Sequence, residues 1–292
     1  MQGGVSVKTH RSRRDLKTRI FKIVAAASTL IALIFLFLLL YDSFSDGLPW
    51  LDKQFLTSFP SRFPEKAGIK SALYGSVWLM AFTAIISVPI GVMAAVYLEE
   101  YAKDSFLETV IETNISNLAG VPSIVYGMLG LAFFVRALQL ERSVLSGALT
   151  MTLLILPIII ISSQEAIRAV PKSIRMASYA LGATKWETTR HHVIPNALPG
   201  ILTGTILAMS RAVGEAAPLI MIGALTFIAF TPKTPFDPFT VLPIQIFNWV
   251  SRPKEEFRLI AAAGIIVLLV FLLTMNAVAI LIRNRYQRYA RW

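Results

Sequence analysis

The sequence predicts an all-α polytopic membrane protein with six transmembrane helices, and three observations support this. The chain has 292 residues, of which 55% are hydrophobic, and its mean hydropathy is +0.63. Charged residues make up only 15%, well below the share in a typical soluble domain. Six apolar runs are each long enough to cross a bilayer as a helix.

The predicted spans are joined by polar segments. A basic tail at 1–19 precedes a retained anchor helix at 20–41, and a second basic tail occupies 283–292. Between them we expect a five-helix core over 72–282, which includes a charged loop at 162–197. The predicted spans of this core are 72–98, 117–135, 144–161, 198–230 and 259–282.

The net charge of +11 is explained by membrane topology rather than by nucleic acid. The basic residues flank the apolar runs, where they favour contact with anionic membrane lipid. Six spans place both termini on one side, and the loops of that side hold 16 Lys and Arg against 10 on the other. The positive-inside rule therefore predicts that both termini are cytoplasmic.

The charged loop is predicted to form two short helices around a glycine. Gly182 follows an apolar stripe at helical spacing, made of Ile174, Ala177 and Leu181. Thr184 and Glu187 have the spacing of a capping box, which starts the second helix. That helix is expected to end before Pro195, since proline cannot continue it. A rigid hairpin of this kind can bind a groove on a partner.

The same loop resembles the cytoplasmic coupling loop of permease subunits in binding-protein-dependent ABC importers. Their pattern is Glu-Ala-Ala, three residues, Gly, nine residues, Ile, one residue, Leu-Pro. Met176 replaces the acid and His192 replaces the isoleucine. The resemblance implies a type I importer permease fold over about 72–282. It also implies an ATPase-binding loop, whose residues would be Ala177, Ser178, Leu181, Gly182, Ala183, Ile194 and Pro195. A merely solvated loop is the alternative.

Arg211 and Glu215 interrupt the fifth apolar run and are candidate substrate-pathway residues. On a continuous helix, residues four apart share one face. Arg211 would lie roughly 20 Å along a helix that starts at residue 198, near the middle of the bilayer. A lone charge there costs at least about 2.5–3.5 kcal/mol, so it must face protein or water. A guanidinium can bind an oxyanion with two donors; a structural ion pair is the alternative.

The segment 117–127 is the second candidate part of the pathway. Pro122 leaves a backbone carbonyl without its helical donor, and Asn117, Ser123 and Tyr126 add polar groups. Irregular backbone at this depth is tolerated only against protein or a water-filled cavity. Helix packing through Gly120, Gly127 and Gly130 is the alternative.

At 117–127, and again at 211–223, the chain resembles the PstA-type permease subunits of bacterial phosphate importers. This resemblance implies transport of inorganic phosphate across the cytoplasmic membrane of a bacterium. It also implies a sister permease of PstC type, two ATPase subunits of PstB type and an external phosphate-binding protein of PstS type. A permease for sulfate or molybdate, and a stand-alone channel or secondary carrier, remain open.

The sequence excludes several kinds of chemistry. There is no cysteine, so disulfides and thiolate catalysis are impossible. The phosphate-binding pattern Gly-x-x-x-x-Gly-Lys does not occur. We therefore expect no enzymatic activity and no bound cofactor, with ATP and magnesium held by the partner ATPase. His191 and His192 are adjacent and would point apart on a helix, which disfavours a metal site.

Overall fold

The computed structural model describes residues 5–102, 106–225 and 227–287, and these ranges are mostly helical. Turns of π-helix at Tyr97–Tyr101, Leu131–Ala137 and Thr189–Val193 adjoin α3, α5 and α9. The α-helices found in the described ranges are α1 (Val5–Gly47), α2 (Lys53–Thr57), α3 (Lys70–Val96), α4 (Phe106–Ala119), α5 (Ser123–Gly130), α6 (Val144–Arg168), α7 (Lys172–Ala180), α8 (Lys185–Thr188), α9 (Ile194–Val213), α10 (Ala217–Ile222), α11 (Leu242–Val250) and α12 (Glu255–Gln287).

The helix count agrees with the predicted six spans. In the described ranges, one bent helix pair and five long apolar segments can cross a membrane, and the five are Thr18–Trp50, Lys70–Tyr101, Val144–Arg168, Lys185–Val213 and Glu255–Arg285. The first basic tail is helical from Val5 onward and continues into the anchor without a break. The cytoplasmic location of both termini stays a prediction.

The third span, predicted at 117–135 with irregular backbone near Pro122, consists of two helical segments joined at a sharp bend. The segments Glu108–Ala119 and Ser123–Ala137 meet at an angle of 104°. Pro122 lies at the bend and has no N–H to continue the ladder. The acidic stretch before this span is also not a simple loop, because Tyr97–Tyr101 prolongs α3 and α4 begins at Phe106.

The fifth span also differs from the predicted straight run over 198–230. Its helix begins at Lys185 and ends at Val213, and the short α10 follows after three non-helical residues. The prediction that the preceding helix ends before Pro195 is wrong. Pro195 lies in the first turn of α9, directly after the π-helical turn. The altered hydrogen-bond register of a π-turn accommodates a residue that lacks an N–H.

The centre of the fold is α6, which contacts α3, α9 and α5. In its most apolar window 67% of residues are buried, against 0% for the first span. The anchor helix α1 is therefore peripheral and contacts the rest of the chain mainly through α12. Met151, Ile155 and Ile159 of α6 are fully buried in the main core.

The two ends of α6 carry different structures. Before it, the segment 231–241 folds over its first turn: the N–H groups of Val144 and Leu145 donate to the carbonyls of Asp237 and Pro235. After it, α7 and α8 form a hairpin around Gly182, which we call the hairpin. Because α6 spans the membrane, the segment 231–241 and the hairpin lie at opposite membrane surfaces.

Candidate functional site

The break between α4 and α5 is stabilised by a buried tyrosine. In a regular helix the Leu118 carbonyl would accept from the N–H of residue 122, which is a proline here. The carbonyl accepts instead from the Val121 N–H at 3.0 Å and from the Tyr126 hydroxyl at 2.7 Å. Tyr126 is buried, so its ring and hydroxyl fix the bend as part of the packed structure.

Close packing brings this break next to the break between α9 and α10. A Cβ atom on Gly127 would lie only 2.7 Å from the Cα of Pro218, so α5 and α10 touch through their backbones. Gly127 therefore serves helix packing, which was the alternative to a pathway role for the segment 117–127. Because α5 and α10 each follow a break, the two interruptions are neighbours in space.

Arg211 lies in the last turn of α9, where the negative end of the helix dipole stabilises a cation. Its Nε lies 3.6 Å from Oε1 of Glu215, longer than a typical charge-assisted hydrogen bond. The prediction that Arg211 and Glu215 share one face of a continuous helix is wrong, because α9 ends at Val213. The chain turns at Gly214 and returns Glu215 toward the guanidinium. The two side chains are 48% and 23% exposed.

The structure brings only part of the predicted pathway set together. Tyr126 packs in the same core cluster as Ala212, the neighbour of Arg211 in α9. Ser123 opens α5 and is partly buried, whereas Asn117 is exposed on α4, before the bend. Chemically, the site offers a half-exposed cation and a loosely held carboxylate beside two helix breaks, while the hydroxyl of Tyr126 is occupied by the Leu118 carbonyl.

The predicted hairpin geometry is confirmed. Gly182 has a φ of +84°, a conformation that side chains with a Cβ rarely adopt. Thr184 and Glu187 form the capping box reciprocally. A buried hydrogen bond of 2.8 Å joins the hydroxyls of Ser178 and Thr188 and ties α7 to α8. Ser178 therefore holds the hairpin closed, at a position where related loops carry alanine.

The hairpin presents large apolar side chains to solvent. Leu181 at the elbow is 91% exposed and Met176 is 67% exposed. With Tyr179 and Trp186, which are 38% and 55% exposed, they form what we call the hairpin surface. The predicted stripe is split, because Ile174 packs partly against the core while Ala177 and Leu181 face outward. Among the other predicted coupling residues, Ala183 follows the elbow, while Ile194 and Pro195 begin α9.

Two ion pairs that the sequence did not predict join the end of the second span to the end of α6 and to the hairpin, and the pair of Arg175 is the one that attaches the hairpin. Arg175 of α7 donates to Glu100 at 2.7 and 3.1 Å, and their side chains are 16% and 6% exposed. Arg175 also donates to the carbonyls of Ile167 and Val170. Arg168 pairs with Glu99 at 2.9 Å, at a more exposed position. The adjacent acids after the second span were the available signal for such contacts.

A carboxylate organises the segment at the other membrane surface. Asp237 accepts from the backbone N–H groups of Lys233 and Thr234 and from the Thr234 hydroxyl. These hydrogen bonds, the Lys233 N–H first, lower the pKa of Asp237 below its ordinary value. Asp237 is therefore ionised at neutral pH and accepts all three hydrogen bonds of the turn. The turn loses stability only as the pH falls through this lowered pKa.

Comparison with known proteins places the chain in a family. The family model described as binding-protein-dependent transport system inner membrane component matches residues 87–288. The probable ABC transporter permease protein YqgI of Bacillus subtilis is 35% identical over 246 residues, covering 80% of this chain and 84% of the relative. The phosphate transport system permease protein PstA 1 of Mycobacterium tuberculosis is 31% identical over 281 residues, covering 93% and 89%.

A solved structure shares the fold at low sequence identity. It is a bacterial alginate ABC transporter in complex with an alginate pentasaccharide-bound periplasmic protein. Its matching chain has a TM-score of 0.64 and 13% identity, with coverage of 91% of this chain and 93% of that one. The fold is therefore that of type I ABC importer permeases. From the family match and the relatives, this chain belongs to the multi-pass inner membrane components of binding-protein-dependent transport systems.

Proposed function

We propose that this chain is the permease subunit of an ATP-driven importer that moves inorganic phosphate across a bacterial inner membrane. The observation that carries the proposal is Arg211, a half-exposed cation beside two adjoining helix breaks. Relatives named as phosphate transport permeases at about 31% identity favour phosphate over other oxyanions. The transport role itself follows from the family.

The loose contact of Arg211 with Glu215 suits a transient anion site. A separation of 3.6 Å leaves the guanidinium able to exchange partners. An entering phosphate would compete with Glu215 for its donors, and departure of the phosphate would restore the ion pair. A single tight partner would instead trap the anion, so two alternating partners favour turnover. Tyr126, which packs in the same core cluster as Ala212, would hold the adjoining break in place through its hydrogen bond to Leu118.

Substrate choice is tested by competition. Vesicles containing the complete importer should take up labelled phosphate, and unlabelled phosphate should compete far better than sulfate or molybdate. Stronger competition by sulfate or molybdate would reassign the substrate to that anion. Uptake that persists without ATP and without an ATPase subunit would instead indicate a channel or secondary carrier.

Different partners are proposed for the two membrane surfaces. At the hairpin, a PstB-type ATPase dimer would dock and would hold the ATP and magnesium that this chain does not bind. A PstC-type sister permease would complete the membrane part, and a PstS-type phosphate-binding protein would deliver substrate from outside. The alginate transporter solved with its periplasmic protein supports an arrangement of this kind.

Leu181→Asp is expected to abolish co-purification of the ATPase while leaving the permease folded. Leu181 is 91% exposed, so the substitution removes no buried contact inside this chain and instead places a charge on the hairpin surface. Ser173→Asp adds the same charge in the first turn of α7, outside the hairpin surface, and should leave the complex intact. An unchanged yield of ATPase with Leu181→Asp would remove the hairpin surface from this role.

Cysteines placed at Thr234 or Lys254 are expected to cross-link to the external binding protein during transport. Both residues are exposed and lie at the membrane surface opposite the hairpin. A cysteine at Ser173 on the hairpin is the matched negative control. If an active transporter gives no cross-link from either outer position, the binding protein docks elsewhere.

A further inference from the structure

An apolar cleft runs between α3, α9 and α12, away from Arg211 and from the hairpin surface. Its volume is about 250 Å³. The walls include Ala84 of α3, Leu202 and Met209 of α9, and Met275, Ala279 and Ile282 of α12. Almost all of the lining is carbon, so the cleft suits a hydrocarbon chain rather than a hydrated ion.

A weakly held cation, Arg283, directly follows Ile282, which lines this cleft. Asn276 and Ala279 line the cleft, and Arg283 follows on the same stripe of α12 at helical spacing. The guanidinium donates to the Thr203 hydroxyl at 3.4 Å and to Asn284 at 3.3 Å. Its Nε is buried and has no hydrogen-bond partner among the residues that the structure describes.

This environment is unfavourable for an arginine without an anionic partner. Arg283 lies within the membrane-crossing segment Glu255–Arg285, and no carboxylate in the described part of the chain pairs with it. A buried N–H of a charged group without an acceptor is costly. The terminal nitrogens of Arg283 make only two long hydrogen bonds, so an anion that reaches them would compensate the charge. The adjoining cleft indicates that this anion carries an apolar tail.

We propose that the cleft binds one anionic phospholipid, with its phosphate on Arg283 and an acyl chain between α9 and α12. Basic pockets between transmembrane helices are known to take anionic head groups. Arg283 lies four residues before the end of α12, which ends at the membrane surface of the hairpin, and its partner Thr203 lies in the middle of α9. The lipid therefore belongs to the leaflet on the hairpin side. Arg285, two residues further and exposed, points away from this stripe.

The test measures lipid retained by the full-length chain, purified with the subunits that accompany it. Samples are equilibrated in nanodiscs that contain phosphatidylcholine and phosphatidylglycerol, extracted into detergent, and analysed by mass spectrometry. Arg283→Gln should lower retained phosphatidylglycerol roughly fivefold, the scale expected for one basic contact. Arg285→Gln is the matched control and should retain the wild-type amount. Ala279→Phe, which fills the cleft but keeps the charge, should also lose the lipid.

The remaining outcomes overturn the proposal. Equal phosphatidylglycerol in wild type and Arg283→Gln would show that the arginine holds no lipid. The melting temperature of the complex is also measured in nanodiscs. If inorganic phosphate added to phosphatidylcholine nanodiscs raises this temperature as much as phosphatidylglycerol does, the site binds a free anion. If Arg283→Gln reduces recovery of the sister permease without changing retained lipid, a carboxylate of that subunit is the partner.

Discussion

Arg211→Ala is expected to lower phosphate uptake by the importer roughly ten- to hundredfold, the range that corresponds to one lost charge-assisted hydrogen bond. The physical reason is the position of the half-exposed guanidinium in the last turn of α9, beside the α9–α10 break. Without it, an anion that enters the site would meet only the negative charge of Glu215. The measurement is ATP-dependent uptake of labelled phosphate in right-side-out or reconstituted vesicles that enclose ATP and carry the binding protein outside.

Two further variants separate transport from assembly. Arg211→Lys keeps the charge but loses the planar pair of donors, so uptake should fall while the complex assembles normally. Arg211→Gln combined with Glu215→Gln removes both charges and leaves no unpaired carboxylate. This double variant should assemble like the wild type and still fail to transport. Normal uptake by an assembled Arg211→Ala complex would make the arginine structural and would place the anion path elsewhere.

The hairpin could be predicted because its signals are local. The left-handed glycine and the capping box of Thr184 and Glu187 lie within a few residues of each other, and the structure shows both. Backbone conformation at such positions depends little on distant contacts. The number of spans could also be predicted, because hydropathy and length determine whether a helix can cross a bilayer.

Pro122 predicts irregular backbone, but proline alone could not predict the size of the bend or its position beside the second break. Pro89, Pro157 and Pro199 all lie inside helices that continue through them, whereas Pro122 coincides with a bend of 104°. The difference comes from tertiary packing: the chain turns at Pro122 and packs α5 against Pro218 through Gly127. A contact between residues this far apart leaves no pattern in a single sequence from which it could be predicted.

Hydropathy was also misleading for the fifth span. The run stays apolar past Arg211, so a uniform helix over 198–230 was the natural prediction. The helix instead ends at Val213, and the short α10 packs separately. The i, i+4 spacing of Arg211 and Glu215 thus predicted an ion pair correctly but for the wrong reason, since the turn at Gly214 forms it.

The ion pair between Arg175 and Glu100 joins residues 75 positions apart, and breaking it is the second change from which we expect a large effect. Glu100→Gln should lower the free energy of unfolding by about 3–5 kcal/mol, because it leaves a buried guanidinium without its counter-charge. The two backbone carbonyls that also accept from Arg175 favour the lower part of this range. Thermal unfolding of the purified complex measures the loss.

The same variant should uncouple ATP hydrolysis from transport. Arg175 belongs to α7 of the hairpin, and Glu100 belongs to the π-helical end of α3, so their contact fixes the hairpin to a membrane span. Motion of a docked ATPase would reach α3 through this contact. In Glu100→Gln complexes that remain assembled, we expect hydrolysis to continue while phosphate uptake per ATP falls.

A double-mutant cycle and a surface control distinguish this specific contact from general damage. Glu99→Gln removes the partner of Arg168, which is 54% exposed, and should cost at most about 1 kcal/mol. Arg175→Met combined with Glu100→Met leaves no buried charge and should recover much of the stability that either single change loses. It should not recover coupling, since α7 is then no longer held to α3 by charge. Strictly additive stability losses in the cycle, or normal uptake per ATP in Glu100→Gln, would show that this pair does not link the hairpin to the membrane helices.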